Sequence, residues 1–150
     1  MNTELPVILL VDDEPTNLRV LRTVLHEQYR LLFAKSGEEA LQLVAQHQPD
    51  LILLDVMMPG MTGFDVCTAL KGDAATWHIP VVFVTALRDE IDETRGFDVG
   101  AVDYITKPIS PAIVKARVKT HLSLVQADML KKVPATGDPA PRPRRRVQRQ

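Results

Sequence analysis

The chain has 150 residues, 45% hydrophobic and 25% charged, which suits one compact domain with a core of its own. No apolar run approaches the ~20 residues that cross a bilayer, and MNTELP puts no basic leader ahead of the first apolar run, so neither a membrane span nor a secretory signal is expected. The net charge of −1 is unevenly divided: residues 1–130 carry 11 basic and 18 acidic side chains, residues 131–150 seven basic and one acidic.

Apolar runs and helical patterns alternate along the chain. LPVILLV, residues 5–11, reads as a first strand that runs straight into Asp12, Asp13 and Glu14. PTNLRVLRTVLHEQ follows, with Leu18, Leu21 and Leu25, and Val20 and Val24, at three- and four-residue spacings that predict a helix. RLLFAK predicts the second strand, and SGEEALQLVAQH the second helix, opened by Ser36 and Glu39 at capping-box spacing. LILLD, residues 51–55, predicts the third strand; the turn-rich MMPGMTG then leads into a helix over FDVCTALK. PVVFVTA, residues 80–86, predicts the fourth strand. The fourth helix, RDEIDETRGFDVG, has few apolar anchors (Ile91, Phe97, Val99) and contains Gly96, a pattern of low local stability. AVDYITKP, residues 101–108, is the fifth strand, and residues 111–132 form a final helix ~33 Å long. Its stripe of Val114, Val118, His121 or Leu122, Val125 and Met129 outruns what the sheet can cover, so a homodimer through this fifth helix or a missing C-terminal output domain is expected. VPATGDPAPRPRRRVQRQ reads as a disordered basic tail, dividing the chain into a domain over 1–125 and a helix end plus tail over 126–150.

Five strand-helix units predict an α/β fold, a doubly wound parallel sheet with helices on both faces. VILLV, LILL and VVFV are apolar throughout, as interior strands are. RLLFAK and VDYI carry charges and suit the edges, which gives the flavodoxin-like (βα)5 order 2-1-3-4-5 with an extended C-terminal helix.

In such a sheet ligands bind beyond the carboxyl ends of the strands. There the chain places Asp12 and Asp13 after strand one, Asp55 after strand three, Thr85 after strand four, and Thr106, Lys107 and Pro108 after strand five. Two carboxylates about 4 Å apart repel by ~4 kcal/mol at an effective dielectric near 20, so one keeps its proton or a divalent cation joins them. Oxygen donors without histidine or thiol select a hard cation, Mg2+ first. The alternative, that Asp13 or Glu14 merely caps the next helix, gives no reason for Asp55 and Lys107 at the same rim. His26, His47, His78 and His121 are scattered without metal-ligand spacing, and Cys67 stands alone, which excludes an internal disulfide and fits a reducing cytoplasm.

VDDE, LDVMMPGMTGFD, VTA and YITKP, in that order on four strand ends, resemble the receiver domain of two-component response regulators, of the CheY-like type. The resemblance covers residues 5–125 or so and implies a phosphorelay switch in the cytoplasm rather than a metabolic enzyme. It implies Asp55 as phosphoacceptor (4-aspartylphosphate), Asp13 as direct Mg2+ ligand, Asp12 acting through water, and the Met57 carbonyl completing the set. It further implies Thr85 and Lys107 on the phosphoryl oxygens, Tyr104 as aromatic switch and a Lys107-Pro108 bond that is often cis. Met57 and Leu87, expected to flank the line of attack, are both apolar and cannot orient a water, so slow self-dephosphorylation is expected. A sensor histidine kinase or phosphotransfer protein is the implied partner, and the surface of the fourth helix, fifth strand and fifth helix the implied output. Thr62 departs from the aspartate of the family pattern. A haloacid-dehalogenase-type phosphatase, the other aspartate-nucleophile class, requires D-x-D after strand one, where this chain has Asp-Asp-Glu. A receiver fold acting as a phosphate-independent docking module would not require the five site positions that are intact here. No DNA-binding motif is present in the sequence.

Overall fold

The computed structural model describes residues 5–86, 94, 95 and 97–132. Five strands, β1 (Val7–Val11), β2 (Arg30–Ala34), β3 (Leu51–Leu54), β4 (Val81–Thr85) and β5 (Asp103–Thr106), form one parallel sheet in the order β2-β1-β3-β4-β5. β1 and β3 end one residue before Asp12 and Asp55, whereas β4 and β5 end on Thr85 and Thr106. Asp12 and Asp55 therefore lie just past the ladder, their amides still donating to Ala34 and Val11 carbonyls at 3.1 and 2.9 Å.

Period-two alternation divides the sheet residues between two cores. Leu9, Val11, Ile52, Leu54, Val81, Phe83 and Tyr104 join the buried residues of α2 (Gly37–His47) and α3 (Gly63–Lys71). Ile8, Leu10, Leu51, Leu53, Val82, Val84 and Ile105 join those of α1 (Pro15–Leu25) and the C-terminal helix (Pro111–Lys132). The three central strands are almost wholly buried, which is why their sequences are apolar at every position but Thr85, the last of β4. Phe33 on edge strand β2 stays 39% exposed.

Several local expectations are corrected. α1 ends at Leu25 rather than residue 28, and Val20 faces solvent while Leu18, Leu21 and Leu25 are buried. At α2, Ser36 Oγ accepts from the Glu39 amide, but Glu39 Oε1 accepts from the Lys35 amide rather than from Ser36, so the reciprocal box is not closed. The expected fourth helix over 88–100 lies mostly outside the described residues, as do Leu87, Ile91 and the tail from residue 133.

The C-terminal helix has the length the pattern predicts, and Val114 and Val118 are fully buried. His121 is not part of its apolar stripe; that place falls to Leu122, packed against the core. His121 Nε2 instead lies 2.8 Å from Asp103 Oδ2, and Arg117 Nη1 donates to Asp103 Oδ1 at 2.8 Å. Burial alone would raise the Asp103 pKa; the His121 bond, the Tyr104 amide and Arg117 outweigh it and hold the carboxyl below its ordinary range. An acid lowered in the folded state contributes fully above its unfolded pKa and loses that contribution as pH falls through the folded value. Asp103→Ala should therefore destabilise the protein by ~1 kcal/mol at neutral pH, a partly exposed ion pair being worth that much. The deficit, read from urea midpoints, should shrink toward about pH 3; a deficit that does not vary with pH would count against the clamp.

Candidate functional site

Equal register brings the acids together. Val11 pairs with Leu54, so Asp12 and Asp55, each the next residue, leave neighbouring strands at one level. By alternation both side chains belong to the α1 side of the sheet. Asp12 is 2% and Asp55 4% exposed, while Asp13 is half-buried. Each of the three offers an oxygen within 4.8 Å of the others. Asp12 also organises the start of α1, its Oδ1 accepting from the Glu14 amide at 2.9 Å. Glu14 occupies the N-cap position but makes no side-chain cap bond; its Oε1 accepts from Asn17 Nδ2. The capping alternative thus accounts for neither Asp13 nor Asp55.

Lys107 reaches the same place from β5. Its amide donates to the Thr85 carbonyl at 2.8 Å, and its Nζ lies 2.8 Å from Asp12 Oδ2 and 3.5 Å from Asp55 Oδ1. The Lys107-Pro108 peptide is cis. Burial works against the ammonium charge, but the Asp12 bond and the charges of Asp55 and Asp12 hold the Lys107 pKa above the ordinary lysine range. Asp55 is pushed up to about 6, chiefly by burial and then by the Asp12 carboxylate, with Lys107 opposing and Asp13 adding to the rise. One ammonium does not balance three carboxylates. All-oxygen donors, close together and short of positive charge, fit a hard divalent cation.

Thr85 and Tyr104 lie on the opposite side of the sheet. Thr85 is fully buried and follows Phe83 by two residues; Tyr104, paired with Phe83, is 7% exposed. Phe64, Phe83 and Tyr104 form a run of edge-on rings, 5.3 and 6.2 Å between centroids. Met57 points outward, 61% exposed, between buried Val56 and Met58.

Sequence reasoning missed the support beneath the third strand's exit. Thr62 and Asp65 close a full capping box at the head of α3, and the Gly63 amide donates to the Val56 carbonyl at 2.9 Å. The signal was available: Thr62-Gly-Phe-Asp65 has the spacing of a box.

Comparison with known proteins agrees with this geometry. The family model described as "Response regulator receiver domain" matches residues 8–119. The "Probable cyclic di-GMP phosphodiesterase" of Vibrio cholerae serotype O1 is 46% identical over 115 residues, 77% of this chain and 26% of that protein. Response regulator PleD of Caulobacter vibrioides is 47% identical over 133 residues, 87% of this chain and 29% of that protein. The chain thus spans under a third of the length of either relative. Among solved structures, the receiver domain of a histidine kinase from Syntrophus aciditrophicus is 38% identical, with a TM-score of 0.75 over 81% of this chain and 92% of that one. No helix among the described residues is long and apolar enough to cross a membrane.

An acid whose pKa is raised in the folded state binds its proton more tightly there, so ionising it costs stability as pH rises from the unfolded pKa to the folded one. With metal chelated, Asp55→Asn should stabilise the protein near neutral pH by on the order of 2–3 kcal/mol, from 3.8 to about 6 in pKa. The gain should fade below about pH 4. Chemical denaturation in EDTA across that range measures it; an Asn variant less stable at pH 7 would refute the electrostatic account.

Proposed function

This chain belongs to the response regulator receiver family, and on that premise we propose that Asp55 accepts a phosphoryl group from a histidine kinase or phosphotransfer protein, with Mg2+ as cofactor. The observation that carries the reading is the meeting of Asp12, Asp13 and Asp55 within 4.8 Å, with Lys107 bridging Asp12 and Asp55. Phosphoryl transfer needs positioning and charge neutralisation more than covalent work. An Asp55 carboxylate oxygen attacks phosphorus in line; the P–O bond forms as the P–N bond to the donor imidazole breaks, and the leaving nitrogen keeps the electron pair. Lys107 neutralises charge that collects on the equatorial oxygens. Asp13, Asp55 and the Met57 carbonyl, with Asp12 acting through water, would hold Mg2+, whose charge would offset the repulsion between two approaching anions. Thr85 gives its hydroxyl to a phosphoryl oxygen.

The aspartyl phosphate is a mixed anhydride that water cleaves, so the signal limits itself. The outward Met57 side chain has no group to orient that water, which supports slow self-dephosphorylation. Thr85 and Tyr104 serve as the switch pair: they flank Phe83 on one sheet face, so movement of Thr85 toward the phosphoryl group changes the space beside the Tyr104 ring. The surface carrying β5, the fourth helix and the C-terminal helix is the output. The receiver occupies residues 1–125, with 126–150 as helix end and tail, in the cytoplasm. The helix past residue 125 joins a second copy or an output domain, a reading supported by relatives three to four times the length matched here.

Incubation of the protein with Mg2+ and acetyl phosphate should add the mass of one phosphoryl group, and Asp55→Asn should abolish the addition. No mass gain at saturating donor and Mg2+ would overturn the reading. Phosphate release from Met57→Asn should exceed that of the wild type; an equal or slower rate would count against the account of the Met57 side chain.

A further inference from the structure

Between Leu54 and Gly63 the chain has no ladder or helix of its own to hold it, yet this segment carries Asp55 and Met57. It is held from two sides. On the sheet side, the Asp55 amide donates to the Val11 carbonyl at 2.9 Å; on the helix side, the Gly63 amide donates to the Val56 carbonyl at 2.9 Å. Gly63 also lies directly on the loop. A Cβ built there would overlap the Asp55 carbonyl oxygen and come within 2.8 Å of Val56 Cα. Only glycine leaves this approach open. Gly63 is in turn placed by the residue before it. Thr62 is extended (φ −79°, ψ 169°), its amide donating to Asp65 Oδ2 at 3.0 Å while its Oγ1 accepts from the Asp65 amide at 3.2 Å.

We propose that the Thr62–Asp65 box and Gly63 form a buttress that sets the backbone of Asp55–Met57 for cation binding, with Thr62 and Gly63 as positioning residues. This rests on the phosphoacceptor reading above. Thr62 carries no charge to offer the cation; its hydroxyl oxygen serves as the cap acceptor at the head of α3. The buried Val56 and Met58 side chains on either side of outward-facing Met57 keep the segment from shifting independently of Gly63.

The test is calorimetric titration of Mg2+ into the whole chain without phosphodonor, together with melting temperatures in EDTA. Thr62→Val keeps the side-chain shape and removes the acceptor; Mg2+ affinity should fall about 10-fold, the loss typical of outer-sphere supports of a metal site. Thr62→Ser and Thr62→Asp should retain wild-type affinity. Ser36→Ala removes the corresponding cap of α2, which is not part of the acid cluster, and should lower the melting temperature while leaving Mg2+ affinity unchanged. Gly63→Ala should weaken Mg2+ more than Thr62→Val; if it fails to fold, the threonine series decides alone. Wild-type affinity in Thr62→Val, or a loss in Ser36→Ala equal to that in Thr62→Val, overturns the buttress while leaving the phosphoacceptor reading intact. A wild-type protein that takes up no Mg2+ overturns both.

Discussion

Mutual repulsion among carboxylates is the constraint on which the rest of this fold depends. Asp12, Asp13 and Asp55 would separate if the chain allowed it, and a sheet buried on both faces does not allow it. β1 and β3 are interior strands in fixed register, so the residues just past their ends have one place to go. The energy of burying apolar strands is what holds the acids together, at roughly 25 cal/mol for each Å2 of apolar surface removed from water. Lys107, brought over from β5, supplies one unit of balancing charge. The deficit that remains is the chemical property of the site, and a doubly charged ion or a proton on Asp55 are the two ways to meet it.

Two groups of side chains lie on opposite sides of one sheet. Asp12, Asp55 and Lys107 belong by alternation to the side of α1 and the C-terminal helix, while Thr85, Phe83 and Tyr104 belong to the side of α2 and α3. The acid cluster at the rim and the aromatic run are thereby on opposite sides of the sheet. Asp103 ties the C-terminal helix to β5: its carboxylate holds Arg117 and His121 of that helix, and the next residue is Tyr104. β5 and the C-terminal helix are thereby coupled, because packed elements with charged contacts move together or exchange partners.

The strand order was legible because charge shows on edge strands and not on central ones: Arg30 and Asp103 belong to the outer pair, and Leu51–Leu54 contains nothing polar. Asp12, Asp55 and Lys107 were legible because polar residues that interrupt long apolar runs have few explanations. What sequence could not give was ordering among like groups. That Lys107 sits nearer Asp12 than Asp55 follows from side-chain packing, to which residue spacing is blind. His121 looked like one scattered histidine because its partner, Asp103, lies 18 residues away on another element. Val20 shared helical spacing with Val24, but the apolar stripe was wider than the buried face, which takes Leu18, Leu21 and Leu25.

The central claim is that these carboxylates oppose folding until a cation joins them. Thermal melting of Asp13→Asn, with EDTA and with saturating Mg2+, tests it most directly, since removing one charge should relieve the strain and weaken the ion's hold at once. The account predicts a variant that melts above the wild type in EDTA and gains less from Mg2+. A variant that melts lower in EDTA and still responds fully to Mg2+ would contradict it.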